Sequence, residues 1–175
     1  MGGNLSFREA LKRRLAIIKP SMAMITEFNK SLDEHLTPNV RVLIEALKRR
    51  NVSIYLISGG FRLIINPVAD LLNIQRENVF ANTLYFDENG QYAGFDESEL
   101  TSESNGKSKA IEQLKATHSF KTIVMIGDGA TDLESCPPAD AFIGFGGNVV
   151  REKVKEHSDW YVTDFQELID ELQNN

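Results

Sequence analysis

Cysteine occurs once in the 175 residues, at Cys136, so the chain cannot close an internal disulfide and reads as a cytoplasmic protein. No apolar run approaches the roughly 18 residues that a membrane span needs. Positive charge is short. The 19 Lys and Arg stand against 25 Asp and Glu, a net charge of −6, which excludes a nucleic-acid binder that relies on a basic face. An anionic ligand must then be met by a local lysine, arginine, metal or helix N-terminus. Repeats, linkers and low-complexity stretches are also missing. What is present is an ordinary globular balance, 42% hydrophobic and 25% charged, which supports a core in one domain or one domain with a small appendage.

The opening Met1-Gly2-Gly3-Asn4-Leu5-Ser6 matches the glycine-two, serine-six pattern of N-myristoylation, and Arg8, Lys12, Arg13 and Arg14 follow it. Such a short pattern arises by chance, and Glu9 argues against a transit peptide. The basic residues are read as part of a solvated amphipathic helix with no membrane contact.

Hydrophobic spacing predicts three opening helices. Ser6 caps the first, which carries Leu11, Leu15 and Ile18 and stops before Pro20. The second spans residues 21–36. Thr37-Pro38 opens the third, which runs through Leu43 and Leu47 to Arg50. From Val52 strands and helices alternate. A strand over 53–57 ends at Ser58-Gly59-Gly60, and a helix containing Pro67 follows. A strand over 78–86, a turn over 87–90 and a strand over 91–95 form a hairpin. A helix over 106–118 leads to an apolar strand over 122–126, buried by composition, that ends at Gly127-Asp128-Gly129. A strand over 141–143, a helix from Asn148, a strand over 160–162 with Trp160 in the core, and a helix from Asp164 complete the pattern. Alternation of this kind predicts a parallel α/β sheet.

Ligands of open parallel sheets bind beyond the carboxyl ends of the strands, and three polar segments are expected there. In Gly127-Asp128-Gly129-Ala130-Thr131-Asp132 an apolar strand delivers Asp128, and Asp132 follows four residues on. Two carboxylates this close repel unless a cation lies between them or one is neutral, which a hard ion such as Mg²⁺ would resolve. The lesser alternative is that both aspartates merely cap the following helix. Ser58-Gly59-Gly60 offers a hydroxyl and unhindered N–H groups suited to phosphate oxygens, although glycine turns after strands are common. Lys107 stands in the first turn of a helix, where most lysines are simply solvated. The loop Gly144-Phe145-Gly146-Gly147 is read as a turn. The scattered His35, His118 and His157 are read as solvated, and Cys136 as a small packing residue.

In order and spacing, Ser58-Gly59-Gly60, Lys107 and Gly127-Asp128-Gly129-Ala130-Thr131-Asp132 resemble motifs of the haloacid dehalogenase superfamily. Leu56 to Arg62, Val79-Phe80-Ala81-Asn82, Met125 to Asp132 and Pro137 to Asn148 are similar to the phosphoserine phosphatases within it. The resemblance implies a Rossmannoid α/β core with flanking helices over residues 38–175, a β-hairpin, and a remnant of a helical cap over residues 1–37. It implies Mg²⁺-dependent hydrolysis of O-phospho-L-serine to L-serine and phosphate, in serine synthesis, with a homodimer among the assemblies allowed. Asp128 would be a direct Mg²⁺ ligand, with Asp132 behind it. Ser58, Gly59 and Gly60 would hold the phosphoryl oxygens, and Lys107 would neutralise charge there. Arg14 would pair with the substrate carboxylate, a bidentate task that suits arginine. Met1, Gly2 and Phe7 match pocket positions, and Thr131 and Arg151 match positions that contact substrate or product.

One element of the family pattern is missing. The attacking and the acid–base aspartates stand there in Asp-x-Asp at the end of the first, central strand. None of the ten aspartates here lies two residues from another. The chain therefore resembles a family member that starts late, without that strand, and is expected to be inactive as written. The alternative is a non-catalytic form that binds phosphate or a partner subunit. Loss of the strand is expected either to bring its two neighbours into direct pairing or to leave the chain unstable alone.

Overall fold

The computed structural model describes residues 6–174. In chain order its helices are α1 (Phe7–Ile18), α2 (Met22–Asn29), α3 (Val40–Arg49), α4 (Arg62–Leu71), α5 (Gly106–Thr117), α6 (Ala130–Leu133), α7 (Glu152–His157) and α8 (Phe165–Asn174). Its strands are β1 (Leu56–Phe61), β2 (Val79–Asn82), β3 (Leu84–Phe86), β4 (Tyr92–Phe95), β5 (Val124–Gly127), β6 (Ala141–Phe145) and β7 (Trp160–Val162). The fold is α/β, with parallel sheets and flanking helices, as the alternation predicts. The chain divides into two compact units. One comprises the described residues up to His35 with Tyr55–Gly106, the other Leu36–Ile54 with the residues from Lys107 onward.

In the first unit the Ser6 hydroxyl accepts from the Glu9 N–H and starts α1, and Lys19 ends it in the left-handed region just before Pro20. α1 buries only Leu11 and Leu15, one turn apart, which join Ile25, Leu84 and Phe95 in a core. The second helix is shorter than predicted. α2 stops at Asn29, and Leu32–His35 form a separate 3₁₀ turn. Its N-terminus is tied to the hairpin, where the Met22 N–H donates to the Gly90 carbonyl at 2.9 Å. In that hairpin (β3 and β4, antiparallel) one Asp87 carboxylate oxygen accepts from the Asn89 and Gln91 N–H groups, and Gly90 takes φ of +70°.

β1 departs most from expectation. It begins at Leu56 rather than residue 53, and Ser58-Gly59-Gly60 lies inside it instead of after it. Pairing with parallel β2 runs Leu56 to Val79 and Ile57 to Phe80, then resumes at Phe61 to Asn82. Three residues of β1 thus face Ala81 alone, which makes the segment a bulge. The predicted strand over 78–86 is broken at Thr83 into β2 and β3, which belong to different sheets.

In the second unit β5, β6 and β7 form a parallel sheet in regular register. Leu43 of α3, Phe145, Val162, Leu168 and Ile169 form its core. α3 opens at Val40, not at Thr37-Pro38. Residues 37–39 form a turn in which the Thr37 carbonyl accepts from the Val40 N–H, and Asn39 is the cap at φ +64°. The predicted helix from Asn148 starts only at Glu152. Val149 and Val150 are exposed, so that stretch has no stripe to bury, and short helices depend on packing. Two burial expectations are corrected. Val124 is 46% exposed and Trp160 is 40% exposed, because among the described residues β5 and β7 each have β6 as their one ladder partner. β1 likewise has β2 alone, and every one of its residues is only half-buried. Among the described residues no helix is long and apolar enough to cross a membrane.

Candidate active site

The expected site residues fall into two groups, one in each unit. Met1 and Gly2 lie outside the described residues.

The first group is the β1 bulge. The Gly60 N–H donates to Ser58 Oγ at 3.0 Å, so hydroxyl and amide turn toward one another. Phe7 packs on the same segment. A Cβ at Gly59 would stand 3.2 Å from the Phe7 ring, so glycine leaves room for that ring. Phe7 is held in turn. Its N–H donates to Ser104 Oγ at 3.2 Å, and the next residue, Arg8, pairs with Glu103 at 2.6 Å and donates to the Glu97 carbonyl at 2.8 Å. Arg14 is exposed on α1, two helical turns beyond Phe7.

The second group surrounds the end of β5. Asp132 is 4% exposed, a burial that a carboxylate tolerates only when it is paired. Lys107 Nζ donates to one of its oxygens at 2.5 Å and the Gly129 N–H to the other at 3.0 Å. The Lys107 side chain is 18% exposed, so it is not a solvated surface lysine. Gly127 makes this arrangement possible. A Cβ there would lie 2.2 Å from Asp132 Cγ, inside the space the carboxylate occupies. Asp132 therefore both caps α6 and anchors Lys107.

Asp128 has a different partner. Arg151 Nη1 donates to its carboxylate and, at 2.9 Å, to its carbonyl, with both side chains about half-exposed. Thr131 is exposed on α6. The expected repulsion between the two aspartates is relieved in this chain by two cations of its own, Lys107 and Arg151. Among the described residues no group of three or more His, Cys, Asp or Glu side chains is placed to hold a metal ion. Mg²⁺ demands near-octahedral oxygen ligation, and the described residues alone do not fit it.

Residues without an expected role also resolve. The segment read as a turn is in part strand: Gly144 and Phe145 end β6, the Gly146 N–H is spent on the Val162 carbonyl at 2.8 Å, and Tyr161 fills the space beside Gly144 and Gly146. Burial, followed by Asp159 and Asp140, pushes the Cys136 thiol up, which keeps it protonated and a poor nucleophile. His35 stacks on Phe28, and His157 Nδ1 lies 2.9 Å from the Lys153 carbonyl. Two residues given no role by the sequence prove central to the first group: Asn82, fully buried, and Thr101, 4% exposed. The available signal was an asparagine ending an apolar strand, a costly burial without a partner.

Parallel strands flanked by helices, with paired carboxylates and cations beside the end of β5, define an α/β protein of the Rossmann-like class. The chain belongs to the haloacid dehalogenase-like hydrolase family, which it matches over residues 2–140. It is 56% identical over 173 residues to human phosphoserine phosphatase, covering 99% of this chain and 77% of the human protein. It is 47% identical over 174 residues to the chloroplastic phosphoserine phosphatase of Arabidopsis thaliana, covering 98% of this chain and 59% of that protein. Among solved structures, a phosphoserine phosphohydrolase-like protein from Francisella tularensis superposes with a TM-score of 0.85 at 35% identity, over 94% of this chain and 76% of that one.

Proposed function

We propose that this chain is of phosphoserine phosphatase lineage, with O-phospho-L-serine as the ligand its site recognises and serine synthesis in the cytoplasm as its setting. The observation that carries the reading is the 56% identity to human phosphoserine phosphatase across 99% of the chain. In this reading Ser58 Oγ and the Gly59 and Gly60 N–H groups receive phosphoryl oxygens. By the resemblance, Lys107 is assigned the offset of phosphate charge and Arg14 the substrate carboxylate. Phe7 covers Gly59 and excludes water from one side. Thr131 and Arg151 contact substrate or product. Residues 1–37 are taken as the remnant of a cap and 38–175 as the core.

Asp128 is the carboxylate that this chain contributes to a Mg²⁺ site, and the remaining oxygens would have to come from outside the described residues. Mg²⁺ would supply compensation of developing negative charge. We propose in addition that the 175 residues by themselves do not turn over phosphoserine. No aspartate lies in an Asp-x-Asp pair, so the covalent nucleophile and the acid–base carboxylate are both lacking. General acid–base catalysis alone is worth about 10²–10⁴-fold. The internal pairing of Asp128 with Arg151 and of Asp132 with Lys107 favours a second reading, a non-catalytic phosphate-binding form.

The test is phosphate release from phosphoserine with Mg²⁺, by the purified chain against an Asp128→Asn control. No difference between the two is expected. Turnover above the control would overturn the non-catalytic reading, and failure of phosphoserine to bind in calorimetry would overturn the substrate.

A further inference from the structure

The bulge in β1 leaves a hydrogen-bonding problem that β2 cannot solve with its backbone. Between the pairs Ile57–Phe80 and Phe61–Asn82, three residues of β1 face one of β2, so the ladder is short of donors there. The Gly59 carbonyl is the group affected. It accepts instead from the Asn82 side chain, whose Nδ2 lies 2.8 Å away. Asn82 is fully buried, so its amide must satisfy both ends without water.

The direction of that amide is decided by its neighbours. A carbonyl only accepts, so the nitrogen end of Asn82 has to face Gly59. The oxygen end then faces Thr101 Oγ1, which donates to it at 2.9 Å. Thr101 is itself immobilised. Two residues earlier, Glu99 forms a two-point pair with Arg62 at 2.8 and 3.1 Å, and Arg62 donates to the Val79 carbonyl at 2.8 Å. Thr101 thus acts as a lock on Asn82, and Asn82 on Gly59.

The consequence lies one bond further on. The Gly59 carbonyl and the Gly60 N–H belong to one trans peptide and point in opposite directions. With glycine on both sides that peptide has little steric resistance to rotation, and a Cβ at Gly59 would press on the Phe7 ring at 3.2 Å. Restraint has to come from another element. We infer that Asn82, locked by Thr101, is a positioning residue that holds the Gly59–Gly60 peptide with its N–H turned away from β2, toward Ser58 Oγ, where a phosphoryl oxygen is received. The inference rests on the phosphate reading of Ser58-Gly59-Gly60 given above. It assigns to Asn82 and Thr101 the preorganisation of that cradle.

The experiment uses the whole chain, labelled with ¹⁵N and ¹³C, with three variants. Thr101→Val is nearly isosteric and removes the donor, Thr101→Ser keeps it, and Asn82→Asp replaces the amide donor by a carboxylate. In the free proteins the Gly59 carbonyl and Gly60 amide resonances should move, and Gly60 amide exchange should accelerate, in Thr101→Val and Asn82→Asp but not in Thr101→Ser. On titration with inorganic phosphate, Thr101→Val should bind about tenfold more weakly than wild type, the scale of one lost buried hydrogen bond. Thr101→Ser should stay within about twofold. A folded Thr101→Val protein with wild-type Gly60 resonances would overturn the positioning role, whatever phosphate does. Wild-type protein whose Gly60 amide ignores phosphate would instead overturn the phosphate reading of the bulge, while the free-protein resonances still decide the role of Asn82. Loss of phosphate affinity in Thr101→Ser equal to that in Thr101→Val would also overturn it, since the hydroxyl would then not be the operative group.

Discussion

Asn29 donates from Nδ2 to the carbonyl of Leu63 at 2.8 Å, the very carbonyl that Pro67, four residues on, leaves without its helical donor. A proline inside a helix normally removes one hydrogen bond and strains the turn before it. Here α4 runs on through Pro67 because the end of α2 supplies the missing donor from 34 residues away. Asn29→Ala should therefore cost about 1–2 kcal/mol in urea denaturation, the scale of an orphaned part-buried carbonyl. In a Pro67→Ala background, where the backbone N–H returns, the same substitution should cost well under half as much. Equal costs in both backgrounds would show that Asn29 stabilises the chain by some other contact.

Lys107 and Asp132 form a largely buried pair, 18% and 6% exposed at the side chains. Lys107→Met leaves a buried carboxylate with only the Gly129 N–H, and should destabilise by about 3 kcal/mol. Adding Asp132→Asn removes the stranded charge while keeping an acceptor for Gly129, and should recover part of the loss. Chemical denaturation of the single and double variants measures this. A double variant less stable than Lys107→Met would mean that the lysine does not compensate the aspartate.

The two glycines flanking Asp128 should respond unequally to alanine. A Cβ at Gly127 would stand 2.2 Å from Asp132 Cγ, whereas one at Gly129 would stand 3.3 Å from the nearer carboxylate oxygen. Gly127→Ala has to expel the Asp132 carboxylate from its seat and with it the Lys107 pairing. Its melting temperature should fall several degrees further than that of Gly129→Ala. Comparable melting temperatures would contradict the close approach.

Acid stability should depend on Asp140. The hydrogen bond from Lys115 Nζ, at 2.7 Å, and then that from the Ile123 N–H, at 2.8 Å, hold its carboxyl below the usual value of 3.8. A carboxyl depressed in the folded state adds stability above its unfolded value, and that contribution is lost as the pH falls through the depressed one. Asp140→Asn should lower the melting temperature at neutral pH and flatten its decline below about pH 4. Parallel melting curves for both proteins across that acid range would remove Asp140 as the source.

Local chemistry was legible in advance where its causes are local. Ser6 caps the helix it precedes, Pro20 follows the end of α1, Asp87 to Gly90 turn the hairpin, and the apolar runs of β5 and β6 are strands. Each depends on residues within a few positions of one another. The motif residues were legible for a similar reason, since Gly127 to Asp132 and Ser58 to Gly60 are short contiguous patterns.

Their partners were not. Lys107 meets Asp132 across 25 residues, Arg151 meets Asp128 across 23, and Asn82 meets Gly59 across 23. Spacing and periodicity carry no information about such pairs, because they are fixed by which strand ends and loops the fold sets side by side. Burial behaves in the same way. The composition of β5 reads as a strand covered on both sides, yet how much of Val124 meets water depends on its ladder neighbours, and among the described residues only β6 is one. The sequence by itself determined the alternation of strands and helices, the Ser6 cap and the contiguous motif segments. Only the tertiary structure decided that Ser58-Gly59-Gly60 is a bulge within β1, held by a buried asparagine, because the two-residue mismatch in register exists only once β1 and β2 are paired.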